Sequence, residues 1–321
     1  MAYKTKSQGD IGQEGHKQKV LVIGGSGFLG YHLVKELVES KHEVTVMDIM
    51  PKDSATKLKE FKDINYIWKS AIDISEQDVK DKNFVINLAA QADVPLSNSS
   101  PRYTWIQNTE AVMAIMDVLK SNTQCKFIFM SAGNVYGGVK EDKVPITEEQ
   151  QLRPTNVYAA SKASAELLIN AYAEQFNISA MILRSAGLYG ENMREKQVVS
   201  AFIKQALKNS DITVEGDGSQ RRDFNYVKNA VFAITQAMKS DKRNGTWNIS
   251  DSKEISVKEL AELIIKLTNS KSKIVETPWR TGERGLRLWL SIEKARKELD
   301  YEPKYSMENG LKSTIEWLKR Q

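Results

Sequence analysis

Short apolar runs alternating with amphipathic stretches set the rhythm of the first half of the chain. Residues 20–23 form an apolar run of strand type, and a glycine cluster follows it directly. From 28 to 40 the apolar positions Leu29, Leu33, Leu37 and Val38 recur at helical spacing. Residues 44–47 predict a second strand ending at Asp48, and runs at 64–67, 85–88, 127–129 and 180–183 predict further strands. Between them, 105–119 and 158–176 read as helices. Strand and helix taking turns from the start predicts an α/β fold, a doubly wound parallel sheet covered by helices on both faces.

After Arg184 the segments shorten. Helical patterns at 198–207 and 226–238 flank a strand at 212–215 and a turn at Gly216-Asp217-Gly218. Ser256 opens another helix through Leu260, Leu263 and Ile264, and a last helix is expected over 306–318, behind Pro303. This predicts a smaller α/β C-terminal lobe over the open end of the sheet. The expected organisation is a flexible leader at 1–18, a nucleotide-binding domain at 19–185 to which 227–250 returns, and a lobe made of 186–226 and 251–321.

With 321 residues, 41% of them hydrophobic, the chain can bury the core of one large or two closely packed domains. No apolar run approaches the ~18 residues of a membrane span, so no membrane partner is expected. The net charge of +5 is mild, and the first nineteen residues hold Lys4, Lys6, Lys17 and Lys19 against Asp10 and Glu14. No dense basic tract interleaved with aromatics points to nucleic acid. Cys125, the single cysteine, excludes an internal disulfide framework and suits a reducing cytoplasm. No Cys/His cluster has metal-ligand spacing, so no metal is expected.

The candidate chemistry starts at the first turn. Gly24, Gly27 and Gly30 lie between a strand and a helix, with Phe28 and Leu29 opening the helix. A turn this tight needs residues without a Cβ, and its backbone must approach a pyrophosphate whose charge the helix N-terminus favours. A plain strand-to-helix turn would use glycine too. What favours a dinucleotide is Asp48, about twenty residues on, at the end of the next strand. A carboxylate there accepts hydrogen bonds from both ribose hydroxyls and repels a 2′-phosphate, which predicts NAD over NADP. The second constellation is Tyr158-Ala-Ala-Ser161-Lys162, whose four-residue spacing puts a phenol and an ammonium on one helix face. A phenol of pKa near ~10 is a poor base at neutral pH. A nearby ammonium and a positively charged nicotinamide both favour its phenolate.

Gly24-x-x-Gly27-x-x-Gly30 together with Tyr158-x-x-x-Lys162 resembles the extended short-chain dehydrogenase/reductase family, in its nucleotide-sugar epimerase/dehydratase branch. The resemblance runs in family order from about Lys19 to the C-terminus. Asp73-Ile74 is similar to the adenine-side contact. Asn87-Leu88-Ala89-Ala90, followed by Gln91, is similar to the strand end beside the cofactor, and Asn108 to an Asn kept in the next helix. Phe127 to Gly137 resembles the active-site strand and loop, and Arg184 to Gly190 the strand entering the substrate lobe. Gly216-Asp217-Gly218-Ser219-Gln220-Arg221-Arg222-Asp223-Phe224 is a specific signature of the branch. By that resemblance Arg222 and Arg280 bind the nucleotide diphosphate, a task that suits a planar guanidinium fork. Gly187 and Val198 are further substrate-side positions.

The sequence also departs from the pattern. The family's catalytic Ser/Thr falls on Ala132. Ser131 is a neighbouring hydroxyl, although strand alternation points it elsewhere, and Asn134 is another candidate for the missing hydrogen bond. Gly133 and Asn134 replace the acidic pair of the dehydratases, Gly187 replaces a substrate-touching Asn, Leu96 an Arg, and Lys228-Asn229 an acidic pair. The resemblance implies an NAD-dependent nucleotide-sugar epimerase acting at carbon 4, with a keto-sugar intermediate and return of the hydride, working as a homodimer paired through 105–119 and 158–176. A dehydratase or keto-reductase is the alternative within the family. A non-catalytic NAD-binding regulator, motivated by Ala132, is the alternative outside enzymes.

Overall fold

The protein is described by a computed structural model covering residues 17–139, 143–195, 197–278 and 287–321. Its strands are β1 Lys19–Ile23, β2 Glu43–Asp48, β3 Asn65–Trp68, β4 Phe84–Asn87, β5 Lys126–Ala132, β6 Ser179–Ser185, β7 Gly187–Tyr189, β8 Ile212–Glu215, β9 Arg221–Tyr226, β10 Gly245–Ile249, β11 Glu254–Ser256 and β12 Ile274–Thr277. Seven of them form one sheet in the order β10-β6-β5-β4-β1-β2-β3, with every neighbour parallel.

Period-two alternation inside the apolar runs divides the core. Val20, Val22, Val44, Val46, Ile86 and Ile128 point to one face, where the helices Phe28–Glu39 and Val227–Lys239 pack. Leu21, Ile23, Val85, Phe127, Phe129 and Ile182 point to the other, under Ala111–Leu119 and Val157–Phe176. Burial on both faces is why these strands read as near-continuous apolar runs. Each fully buried aliphatic side chain contributes roughly 1.5–3 kcal/mol.

The chain leaves this sheet after β6 and returns to it at β10, which pairs with β6 from Gly245↔Met181 to Ile249↔Ser185. The intervening and following segments build a sheet of β7, β9 and β11 and a parallel pair of β8 with β12. Ser256 caps the helix Val257–Thr268 through a reciprocal capping box with Glu259, as its position before an apolar-periodic run predicts.

Two of the expected elements differ in extent by more than two residues. β5 runs past Phe129 to Ala132, because Met130, Ser131 and Ala132 pair with Leu183, Arg184 and Ser185 although their side chains are no longer uniformly apolar. The helix expected from 105 starts at Pro101 and passes through a π turn, Ile106–Glu110, before Ala111–Leu119. That extra residue per turn lets Asn108 and Thr109 both face inward, where they bond to Ser161. No described helix is long and apolar enough to cross a membrane.

Candidate active site

Strand order reverses between β1 and β4, and a cleft of about 710 Å³ opens beyond their carboxyl ends. In open α/β sheets this switch point is where ligands bind. Gly24 sits at the end of β1 with φ +80°, and a Cβ there would lie 2.6 Å from the Ala89 nitrogen at the end of β4. A Cβ on Gly30 would lie 2.2 Å from the Gly24 carbonyl oxygen, so the helix Phe28–Glu39 reaches the turn only because that position is glycine. Gly27 is its N-cap and carries no capping side chain, which leaves first-turn N–H groups directed at the cleft. Asp48 is fixed by two backbone donors, Ser26 N–H to Oδ2 at 2.9 Å and Met50 N–H to Oδ1 at 3.0 Å. Tyr66 on β3 donates to the Met50 carbonyl at 2.6 Å, and Trp68 Nε1 donates to the Ile49 carbonyl at 3.0 Å. Ile49, 58% exposed, is thereby held as an apolar wall beside the carboxylate.

The opposite end of the cleft carries Tyr158 and Lys162. Asn156 caps their helix, accepting from Ala159 N–H at 2.9 Å, so Tyr158 falls in its first turn, partly accessible from the cleft. Lys162 is 2% exposed, with Nζ 4.1 Å from the centroid of the Phe129 ring. Considering the protein's own groups alone, burial pushes the Tyr158 phenol up to about 12, against a lowering by Arg194. Burial pulls Lys162 down to about 7, against a raising by Glu166. The expected lowering of the phenol is therefore not supplied by the protein, because desolvation outweighs the neighbouring cations. A positive charge beside the pair is needed to favour the phenolate.

Ala132 lines the cleft and brings no hydroxyl. Ser131 does not substitute for it. The Ser131 hydroxyl turns into the interior and donates to Glu166, as strand alternation requires. Glu166, 2% exposed, pairs with Arg184 at 2.6 Å, and Arg184 Nη1 donates to Tyr136 Oη at 2.7 Å. Asn134, on the turn Gly133–Tyr136, is exposed on the same wall as Tyr158.

Phe28, Leu29, Leu88, Ala89, Ala90, Gln91 and Gly187 also line the cleft. Asn108 does not. It lies behind the wall and clamps Gln91, accepting from its N–H at 2.8 Å and donating to its carbonyl at 3.0 Å. The wall near Asp73 is formed by Lys69 and Ala71, while Ile74 packs into the core. Val198 begins a helix next to the lining residue Gln197. Arg222, on β9, is not part of this wall, and its Nη1 donates to the Arg221 carbonyl at 3.1 Å. Arg280 lies outside the described residues. Sequence reasoning missed Ser26, Ile49, Met50, Lys69 and Arg194. The pair of apolar residues directly after the strand-ending acid was a readable signal for Ile49 and Met50. The others reach the cleft through loops that carry no periodicity.

The family of NAD dependent epimerases/dehydratases matches residues 20–250, which hold every one of these cleft residues. The chain belongs to that family. Among its relatives, a putative UDP-glucose 4-epimerase of Methanocaldococcus jannaschii is 32% identical over 308 residues, covering 94% of this chain and 98% of the relative. The dTDP-D-glucose 4,6-dehydratase of Homo sapiens is 30% identical over 322 residues, covering 94% and 90%. The fold is similar to that of UDP-glucuronic acid 4-epimerase from Bacillus cereus, solved with UDP-glucuronic acid and NAD, with a TM-score of 0.86 and 25% identity over 94% of this chain and 99% of that one. The family resemblance read from the glycine turn and the Tyr158/Lys162 pair is borne out, as is NAD as cofactor.

The family's cofactor fits the residues present. The glycine turn gives a cradle that a Cβ would fill, and Asp48 offers a fixed carboxylate that disfavours a 2′-phosphate. Gln91, 8% exposed, points a buried Oε1 that has no protein partner among the described residues.

Proposed function

We propose that this protein is an NAD-dependent nucleotide-sugar epimerase that inverts carbon 4 of a UDP-sugar. The observation carrying the reading is the placement of Tyr158 and Lys162 at one end of a cleft whose other end holds the glycine turn and Asp48. Named relatives that act on UDP-sugars add support. Tyr158 takes the proton of the 4-hydroxyl and later returns one. Lys162, beside it on the helix, orients the cofactor ribose and adds positive charge when protonated. Bound NAD supplies the hydride acceptor, and its positive ring offsets the burial that holds the phenol high. Asn134 hydrogen-bonds the sugar where Ala132 cannot. Arg222 and Arg280 hold the diphosphate, with Gly187 and Val198 on the substrate side, in a lobe made of 186–226 and 251–321. Cys125, buried and unpaired, suits a reducing cytoplasm.

Incubation with UDP-glucose deuterated at carbon 4 is expected to give the 4-epimer with its label kept. Release of label to added NAD contradicts internal return, and a 4-keto-6-deoxy product means a dehydratase. Gly133 and Asn134, in place of an acidic pair, favour the epimerase. Asp48→Asn is expected to weaken NAD about tenfold, as loss of one charge-assisted hydrogen bond does, and to tighten NADP. Titration of both dinucleotides checks it.

The helices Pro101–Trp105, Ala111–Leu119 and Val157–Phe176 leave Trp105, Met113, Leu167 and Phe176 exposed. This apolar surface supports a homodimer built from them. Leu167, 66% exposed, is the test position: Leu167→Glu is expected to shift a dimer to monomer by light scattering without unfolding it. A wild-type protein that is already monomeric removes the homodimer.

A further inference from the structure

A second cavity, of about 630 Å³, lies on the face of the sheet opposite the Val157–Phe176 helix. Five separated stretches wall it: the helix Phe28–Glu39, the turn Thr56–Glu60, Glu191 with Asn192, the helix Val227–Lys239 and the segment 304–320. His32 and Glu191 join on one side of it. His32 is 8% exposed, and its Nε2 bonds to the Glu191 carbonyl at 2.8 Å.

Two of the four acids in the wall are already paired with a cation. Both Glu191 carboxylate oxygens accept from Tyr226 Oη at 2.9 Å, and Lys228 sits 3.2 Å from the same group. Glu39 pairs with Lys35 at 4.0 Å, and Glu60 accepts from the Tyr31 hydroxyl. Glu36 remains, and Glu60, bonded to a neutral phenol, keeps its charge. Against them stand three cations, Lys57, Lys304 and Arg320, none of which makes an ion pair among the described residues. Lys304 Nζ lies 3.8 Å from the centroid of the Phe232 ring, and desolvation holds Lys57 below the ordinary lysine pKa. Tyr31, Phe232, Tyr305 and Trp317 supply flat apolar surface between these charges. Unmatched ammonium and guanidinium groups around aromatic side chains, in a cavity of ligand size, suit an anion that carries a ring.

We propose that this cavity is a second ligand site, which takes an aromatic phosphate of the aryl or nucleoside monophosphate class. The phosphate lies on Lys57, Lys304 and Arg320, and the ring lies on the aromatic wall. Two elements reach from this site to the active-site cleft. The helix that carries His32 begins with Phe28, Leu29 and Gly30 of the cleft, and the loop that carries Glu191 runs from Leu188 to Arg194 and Gln197, also on the cleft wall. Occupancy is therefore expected to shift KM for the nucleotide sugar.

The test is calorimetric titration of the full chain, in excess NAD, with 1-naphthyl phosphate, adenosine 5′-monophosphate and inorganic phosphate, with Trp317 fluorescence as a second readout. Both ring-bearing probes are expected to bind at one equivalent and quench Trp317, at least tenfold more tightly than inorganic phosphate. Lys304→Glu and Lys57→Glu are each expected to weaken them at least tenfold while NAD binding stays unchanged. Absence of binding, equal binding by both charge variants, or displacement of the probes by excess UDP overturns the proposal. None of these readouts needs turnover, so a wrong assignment of the reaction and a wrong assignment of this site are told apart.

Discussion

Tyr158→Phe is expected to lower kcat on a UDP-sugar by about 10²–10⁴-fold, the range over which a positioned acid–base group acts. The phenyl ring keeps the shape of the cleft wall and removes only the oxygen that exchanges the proton. NAD content after purification and the thermal unfolding midpoint should match the wild type. A variant that loses NAD as well assigns Tyr158 a binding role, and one that keeps its kcat removes Tyr158 from the reaction. Burial, opposed by Arg194, holds the phenol up to about 12, and burial, opposed by Glu166, holds Lys162 down to about 7. In the proposed mechanism the phenolate therefore depends on a positive ring bound beside it. Reduction removes that positive charge, which raises the phenol pKa and keeps the proton on Tyr158 until return of the hydride restores the charge.

The second large effect is one of stability. Glu166 and Arg184 meet at 2.6 Å beneath the active-site strand, with Ser131 and Tyr136 completing the network. Both members are nearly excluded from water. Removing one leaves the other as an uncompensated buried charge, which costs about 3–5 kcal/mol. Arg184→Met is expected to lose that much in urea unfolding, and Glu166→Leu a similar amount. The double variant, with no charge left to bury, should recover a large part of the loss. If the single variants unfold like the wild type, the pair is not buried as described. Glu166 lies one helical turn beyond Lys162, so a smaller loss of kcat is expected in Glu166→Gln even where the fold survives.

The sheet was legible because it is buried on both sides. Val20 to Ile23 and Val44 to Met47 hold no polar residue except Thr45, itself buried, and their ends are marked by Gly24 and Asp48. The glycine turn and the Tyr158/Lys162 spacing were legible because each is a short-range demand of chemistry on neighbouring residues. The π turn at Ile106–Glu110 was not. It arises because Asn108 and Thr109 must both reach Ser161, about fifty positions away. The role of Ser131 depends equally on a distant partner, Glu166, and so does the clamp of Asn108 on Gln91. In the three-stranded sheet of β7, β9 and β11, the two outer strands have three residues each, too short to show a period, and β9 is largely polar, so its members are joined only by pairing across the chain. The second cavity is the extreme case, drawn from five stretches with no common motif.

The return of Gly245–Ile249 to the edge of the large sheet has a consequence for biosynthesis. Until that segment emerges from the ribosome, Met181 to Ser185 lack their outer hydrogen-bonding neighbour, and Trp247 is not there to shield them. A nascent polypeptide stalled shortly after residue 226 would thus display an unprotected apolar rim, the kind that recruits another strand from any nearby copy. Translation pauses in this interval therefore expose the protein to aggregation, and holdase chaperones would have most to protect there.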